Sequence, residues 1–530
     1  MVEGELAALA AAGEPAPAAP PAHVPPIPAS DAQFKHERRY VTAAMMMVMV
    51  LASMEQTVTS TAMPTIIGDL RGLEHYAWVA SIYLLACTVS MPLYGRLADA
   101  LGRKKVILFA IALFCVASVL ASASHTMAQL ILFRGAQGLG AGGIMPVVLT
   151  ILGDIFTLEE RPRVQGFFSA VWGTASLAGP ALGAFLVNTL GWRSVFFVNL
   201  PFAALGFGVM AWKYHDREKP HSTDLDLPGV TLLAIACTAI LVLLSRLGSG
   251  GWPWPEAAGL FAIACATIFW FIRTERRAAN PIMPPDLLMQ RAIGPSMIGS
   301  MVLGIGFLSL DTYVPLYVQG AKGGGATAAA SVVTPVMLTW ALSGIFAAPL
   351  VVRWGFRKTA VLGCILTVLS FTGLLACALA GAPSWVLTSV LLLSGLGFGP
   401  ASMSYLLAAQ HAVIWQQRGI ITSGIQFFRT IGGAVGIGLM GMLFNILIAP
   451  QLDNLHRAGI NVAALMDPHS RNALPESALR TASGMIAHGL TWVFAAMLVF
   501  AVVQVIVTLL LPSSKVDHVS RAEAMEAMGG

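Results

Sequence analysis

Charge is what this sequence has least of. Of 530 residues only 11% are Asp, Glu, Lys or Arg, while 56% are hydrophobic. A soluble chain of this length carries about a quarter of its residues as charges. That shortage excludes a water-exposed globular domain and leaves the bilayer as solvent. The formal charge is +5, yet no basic stripe runs along an amphipathic element, so nucleic acid is excluded as a partner. Cysteine is equally sparse. Cys87, Cys115, Cys237, Cys265, Cys364 and Cys377 all fall in apolar runs without paired spacing, which excludes a disulfide framework or metal site and makes each a small buried hydrophobe. The Ala- and Pro-rich opening, through about residue 34, lacks the basic start and apolar centre of a secretory signal. It reads as a disordered cytoplasmic tail, so that the first membrane helix serves as its own insertion signal. No nucleophile–base pair or metal-ligand cluster marks the apolar runs, which argues against an enzyme and against a resident cofactor.

What is abundant is apolar length. A spanning helix needs roughly 20 apolar residues, and that rule gives fourteen candidates, near 42–67, 76–95, 106–123, 127–150, 164–188, 195–213, 227–246, 256–273, 292–318, 328–352, 359–380, 385–408, 420–447 and 484–511. With the N-terminus in the cytoplasm, 22 of the 31 Lys and Arg fall on the inner side and seven on the outer side (Arg71, Arg193, Arg246, Lys322, Arg457, Arg471 and Arg480). Arg134 and Arg429 lie within spans. The excess of inner positive charge places both termini in the cytoplasm. The spans group as six, two and six. The expected organisation is a tail at 1–40, a six-helix bundle at 41–214, a two-helix insert with its linkers at 215–290, a second six-helix bundle at 291–512 containing a polar outer loop at 449–483, and a cytoplasmic tail at 513–530. Tandem six-helix halves place a substrate site at their interface near the bilayer midplane.

Several segments carry a resemblance. Between spans two and three stands GRLADALGRKK, Gly95 to Lys105, in which Gly95 and Gly102 allow a tight turn and Asp99 and Arg103 set opposite charges at helix ends. Span four holds LFRGAQGLGAGG, Leu132 to Gly143, and span five holds GPALGA with Gly179, Pro180 and Gly183. MEQTVTSTAMP (Met54 to Pro64) and GWRSVFFVNLP (Gly191 to Pro201) complete the set. Over about 42–512 the chain resembles the fourteen-helix drug:proton antiporters of the major facilitator superfamily. The resemblance implies an all-α polytopic fold of two six-helix bundles plus two extra central helices, an exporter motif at Gly179–Pro180–Gly183, and proton coupling through the acid of helix one and the Arg of helix four. Two departures stand out. Glu55 occupies a place where that family usually has Asp, and AAPLVVRWGFRK (Ala347 to Lys358) lacks the acid of the loop motif.

Other glycines have a simpler use. Pairs four apart at 138 and 142, 179 and 183, 395 and 399, or 432 and 436 let membrane helices approach closely, and the loose likeness of GLGAGG to a nucleotide loop is discarded because no strand precedes it. The run Met45, Met46, Met47 and Met49 points to several faces of one helix and is assigned to lipid contact ahead of a drug pocket.

Ionisable groups inside a bilayer cost roughly 3 kcal/mol or more each, so each is a functional candidate. Glu55 lies about 18–21 Å in from the cytoplasmic end of its helix and Arg134 about 21 Å from the same face. Their levels agree. Two readings follow: a proton site in which protonation of Glu55 frees Arg134, or a static buried salt bridge. Asp311, near the outer mouth, meets a cationic substrate or a proton, or is a hydrated helix-end acid. Arg429, near midplane, serves packing or substrate contact. Glu55, Gln137, Asp311 and Arg429 are the cavity candidates. Gly95, Asp99, Gly102, Arg103 and Asp154 form the candidate latch on the cytoplasmic side.

These readings converge on an inner-membrane, proton-driven exporter of lipophilic, cationic compounds working by alternating access as a monomer, with small molecules, protons and lipid as its partners. A narrow exporter of one metabolite or antibiotic is the alternative. A non-transporting receptor is disfavoured by the lack of an appended soluble domain.

Overall fold

The computed structural model describes residues 32–70, 76–156, 160–216, 226–249, 254–278, 281–324, 326–413, 417–457 and 476–513. They form the helices α1 (Ala32–Leu70), α2 (Tyr76–Leu101), α3 (Arg103–Ser122), α4 (Met127–Ile155), α5 (Arg161–Leu190), α6 (Asn199–Lys213), α7 (Leu227–Ser249) and α8 (Trp254–Glu275). There follow α9 (Ile293–Leu316), α10 (Ala326–Trp354), α11 (Phe356–Ala380), α12 (Ser384–His411), α13 (Arg418–Arg457) and α14 (Glu476–Leu509). No strand occurs among the described residues. The reason is elementary: in hydrocarbon each backbone N–H and C=O needs a partner within its own segment, and a helix supplies one. Ten of the described helices are long and apolar enough to cross a membrane.

Packing sorts the helices into two sets joined along a seam. In the first, α2 and α3 lie on α4, and α5 and α6 on α1; in the second, α10 and α11 lie on α12, α9 on α13, and α14 on α9 and α11. Across the seam α5 meets α10 and α2 meets α13. At the rim α7 packs on α13 and α2, while α8 packs on α7 and turns Phe261, Phe269 and Trp270 outward.

Close helix crossings are made by glycine. A Cβ on Gly138 or Gly142 of α4 would strike the Tyr83 or Cys87 carbonyl of α2. One on Gly395 would strike Val336 of α10, and one on Gly432 would strike Met301 of α9. Gly363 and Gly397 face each other across α11 and α12, and a Cβ on either would lie 2.5 Å from the other's carbonyl oxygen. The turns at Gly102 and Gly355, before α3 and α11, hold φ values of +93° and +82°, which glycine adopts without strain. The second half thus keeps the glycine of the loop motif although it lacks the acid.

At the opposite end of the bundle, Trp192 Nε1 and Arg193 both donate to Asp69 Oδ2, at 2.8 and 3.0 Å. The indole bond first, then the guanidinium, hold the Asp69 carboxyl below its ordinary range. They tie the end of α1 to the turn before α6.

Four expectations are corrected. The tail was set at 1–40, but α1 begins at Ala32, where Arg38 donates twice to Glu160 at 2.9 Å and lies 4.5 Å from the Phe156 ring centroid. The cysteines are not uniformly buried: Cys265 is exposed on α8 and Cys115 half-buried. Of the methionines assigned to lipid, Met45 and Met49 are buried in the helix core. The expected outer loop 449–483 is shortened by α13 and α14, and its residues 458–475, like the segments 1–31 and 514–530, lie outside the described residues.

The Gly363–Gly397 crossing generates a stability prediction. Gly397→Val has to open the α11–α12 contact, an overpacking cost of about 1–3 kcal/mol, whereas Gly484→Val meets open space. Size-exclusion chromatography of detergent-solubilised protein is expected to show reduced monodisperse yield for the first and near wild-type yield for the second.

Candidate functional site

Three constellations occupy the molecule at three depths. The first lies inside the first helix set. Glu55 on α1 is fully buried, and Arg134 on α4 nearly so. Arg134 Nη1 donates to Glu55 Oε1, as does Thr59 Oγ1 at 2.9 Å. Asn199 Nδ2, at the start of α6, donates to Glu55 Oε2. The Arg134 guanidinium also donates to Gln137 Oε1 at 2.7 Å, and Gln137 Nε2 donates to Ser118 Oγ of α3 at 2.8 Å. Its Cζ sits 4.2 Å from the Tyr83 ring centroid on α2. Five helices therefore meet around one ion pair, with both carboxylate oxygens accepting. A buried pair is tolerable only with such additional partners.

The second constellation closes the end of the bundle that carries Arg103, Lys104, Lys105, Arg357 and Lys358. Asp99 on α2 accepts from Arg103 Nη2 at 2.9 Å and from the backbone N–H groups of Gly419 and Ile420 at 3.2 and 2.9 Å. Those amides are the first turn of α13, where the helix dipole favours an anion. Arg103 Nε pairs with Asp154 Oδ2 on α4 at 3.1 Å. Arg418 Nη1 reaches the Gly153 carbonyl at 3.4 Å, and Gln410 donates to Thr422 at 2.8 Å. Gly95 completes the contact, since a Cβ there would enter Ser423. The two helix sets are latched together at this end. Gly102 supports the turn, and a Cβ on it would lie 2.5 Å from Asp216 Oδ2, the carboxylate that accepts from Lys104 N at 3.1 Å.

The third is a cavity of about 220 Å³ between the sets. Met49, Leu84, Met145, Leu149 and Phe168 line it from the first; residues of α9, α10, α12 and α13 line it from the second, including Phe307, Trp340, Gln426 and Arg429. Phe307 and Trp340 meet edge to face at 4.5 Å between centroids.

Of the four expected cavity residues, Arg429 is in this lining; Glu55, Gln137 and Asp311 are not. Asp311 is exposed, three residues beyond the lining residue Leu308 on α9, hence about one turn further along the same face. Glu55 and Gln137 belong to the ion-pair network. Gly179, Pro180 and Gly183 lie within α5, with both glycines buried. Asn199 and Ser118 were missed. Asn199 is the lone amide in FFVNLP, and Thr59 stands four residues after Glu55, both visible as polar interruptions.

The comparisons bear on this geometry. The family model of the Major Facilitator Superfamily matches residues 45–437. Multidrug transporter protein MdtP of Bacillus subtilis is 32% identical over 437 residues, covering 81% of both chains. Multidrug resistance protein 3 of the same organism is 27% identical over 492 residues, covering 90% of this chain and 96% of its own. Among solved structures, a bacterial homologue of the iron transporter ferroportin in an outward-facing state superposes with a TM-score of 0.61 at 12% identity, covering 88% of this chain and 98% of its own. That last likeness concerns the fold alone.

The latch yields a measurable consequence. Asp99→Asn removes the charge that holds Arg103 and the α13 amides together. With spin labels at the exposed positions Lys105 and Lys358, double electron–electron resonance is expected to give one short distance in the parent and a longer, broader distribution in the variant.

Proposed function

This chain belongs to the Major Facilitator Superfamily, and we propose that it is a proton-driven antiporter that exports lipophilic molecules from the bacterial cytoplasm by alternating access. The observation that carries this reading is the buried Glu55–Arg134 pair, held apart from the cavity lining yet on helices that also line the cavity. The multidrug names of the two Bacillus relatives support the substrate range. The predominance of Lys and Arg on the latch side supports placing that end, and both termini, in the cytoplasm. The fourteen helices α1 to α14, ten of them within segments long and apolar enough to cross a membrane, support a reading of fourteen spans with α7 and α8 as the inserted pair.

The mechanism follows from charge balance. With the latch closed, Glu55 is sealed from solvent, so proton exchange belongs to a conformation in which the network opens. A proton on Glu55 cancels the charge opposite Arg134 and weakens the hydrogen bonds that Asn199 and Thr59 donate to its carboxylate. An uncompensated buried guanidinium costs several kcal/mol, enough to shift a two-state equilibrium between helix packings. The proton, taken up from the outer side, is then released to the cytoplasmic side as the pair re-forms, and substrate leaves on the outer face.

Two measurements test this reading. Glu55→Gln keeps shape but removes the titratable proton, so inside-out vesicles given a proton gradient are expected to lose uphill transport of a lipophilic dye while retaining dye binding. Glu55→Asp is expected to keep partial transport. Uphill transport by a well-folded Glu55→Gln protein eliminates Glu55 as the coupling group. Topology is checked with single cysteines on a background lacking native thiols. His125→Cys, in the α3–α4 turn, is expected to react with an impermeant maleimide added to intact cells, and Lys358→Cys only after lysis; the reverse pattern inverts the assignment.

A further inference from the structure

The cavity is unusual in its charge. Among its lining residues Arg429 alone is ionisable. The remainder are methionine, leucine, phenylalanine, tryptophan, isoleucine and small residues, with Ser300, Ser402, Gln426 and Thr430 as the polar minority. Arg429 stands 11 residues into α13, about 16 Å from its start, and so well inside the bilayer. It makes no hydrogen bond or ion pair among the described residues. The other intramembrane acids do not serve it: Glu55 is engaged by Arg134, Thr59 and Asn199, and Asp311 lies beyond the lining without pairing to it. Arg429 as a whole is half-buried and forms part of the cavity wall.

A lone guanidinium facing an apolar cavity is costly, and the cost is recovered only when a counter-charge arrives. A cation entering here meets repulsion in a low dielectric. A neutral molecule leaves the charge uncompensated. A planar anion satisfies them two at a time, while Phe307, Trp340 and Met337 receive an aromatic or bulky body. We infer that the cavity selects lipophilic organic anions, carboxylates above all, with Arg429 as the specificity-determining anchor. This differs from the cationic preference expected from the sequence, which counted Glu55 and Asp311 among the cavity residues.

The inference rests on the transport reading for its direction but is measured by binding. Three probes share one ring system and differ in charge: 1-naphthaleneacetate, 1-naphthaleneacetamide and 1-naphthylmethylammonium. Titration calorimetry on purified full-length protein at neutral pH is expected to rank them in that order, with the carboxylate at least about tenfold tighter than the amide. Arg429→Gln is expected to erase the carboxylate–amide difference, and continued binding of the amide reports an intact cavity. Arg429→Lys retains part of it. Absence of a carboxylate preference in the wild type, whether the probes bind equally or not at all, overturns the inference, as does a preference that survives in Arg429→Gln. Vesicle flux separates this from the export reading. A carboxylate preference in binding with no efflux of any probe keeps the anion site and removes the exporter, and efflux without the preference does the reverse.

Discussion

A helix in hydrocarbon gains nothing by hiding its apolar side chains from a solvent that is itself apolar. Association must come from close approach, dispersion and the few polar bonds that cross between helices. This constraint explains why glycine and polar residues occupy the crossings. Gly138 and Gly142 bring α4 onto the backbone of α2, Gly432 and Gly436 bring α13 onto α9, and Gly363 meets Gly397 between α11 and α12. Gly206 likewise brings α6, which carries Asn199, onto α1, which carries Glu55: a Cβ there would lie 2.5 Å from the Val48 side chain.

The same constraint concentrates charge. Each buried ionic group must be matched, and two of the three constellations are. Glu55 and Arg134 form a neutral unit whose remaining valences go to Thr59, Asn199, Gln137 and Tyr83. Asp99, Arg103 and Asp154 are matched by one another and by the amides that begin α13. Arg429 departs from that economy. It is left facing a cavity, and in a low dielectric an unmatched charge is a request for a ligand.

Much of this was legible in the sequence, and the limits are instructive. Helix positions follow from apolar length, and the level of Glu55 against Arg134 follows from counting residues at a fixed rise. The Asp99–Arg103 contact is local, four residues apart on consecutive helices. What sequence does not carry is rotation about a helix axis. Counting put Glu55 and Gln137 at cavity depth, but it could not tell that they turn into the first helix set while Met49, six residues before Glu55, turns to the seam. The Asp99 bonds to Gly419 and Ile420 join residues more than 300 apart, and no local pattern announces them. Nor does any announce Arg38 with Glu160, which extends α1 into a stretch whose composition reads as tail.

Individual helices thread all three constellations. On α4, Arg134 and Gln137 belong to the ion-pair network, Met145 and Leu149 to the cavity, and Asp154 to the latch. Arg134 and Asp154 are 20 residues apart, so roughly 30 Å of one helix connects them. On α2, Tyr83 covers Arg134, Leu84 lines the cavity and Asp99 closes the latch. On α13, Ile420 receives Asp99 while Gln426 and Arg429 face the cavity. A rigid helix transmits displacement along its axis with little loss, and helix-set motions repack interfaces as units. Loss of charge at Glu55 alters the seat of α4, and any tilt of α4 moves Leu149 and Asp154 with it. A ligand drawn to Arg429 acts on α13, whose first turn is the other half of the latch. Under the proposed exchange, proton and substrate need no contact with each other. Each would bias a helix that carries one side of the same closure, and the proposed coupling would run through the mechanical connection of α4 and α2 to α13 across Asp99.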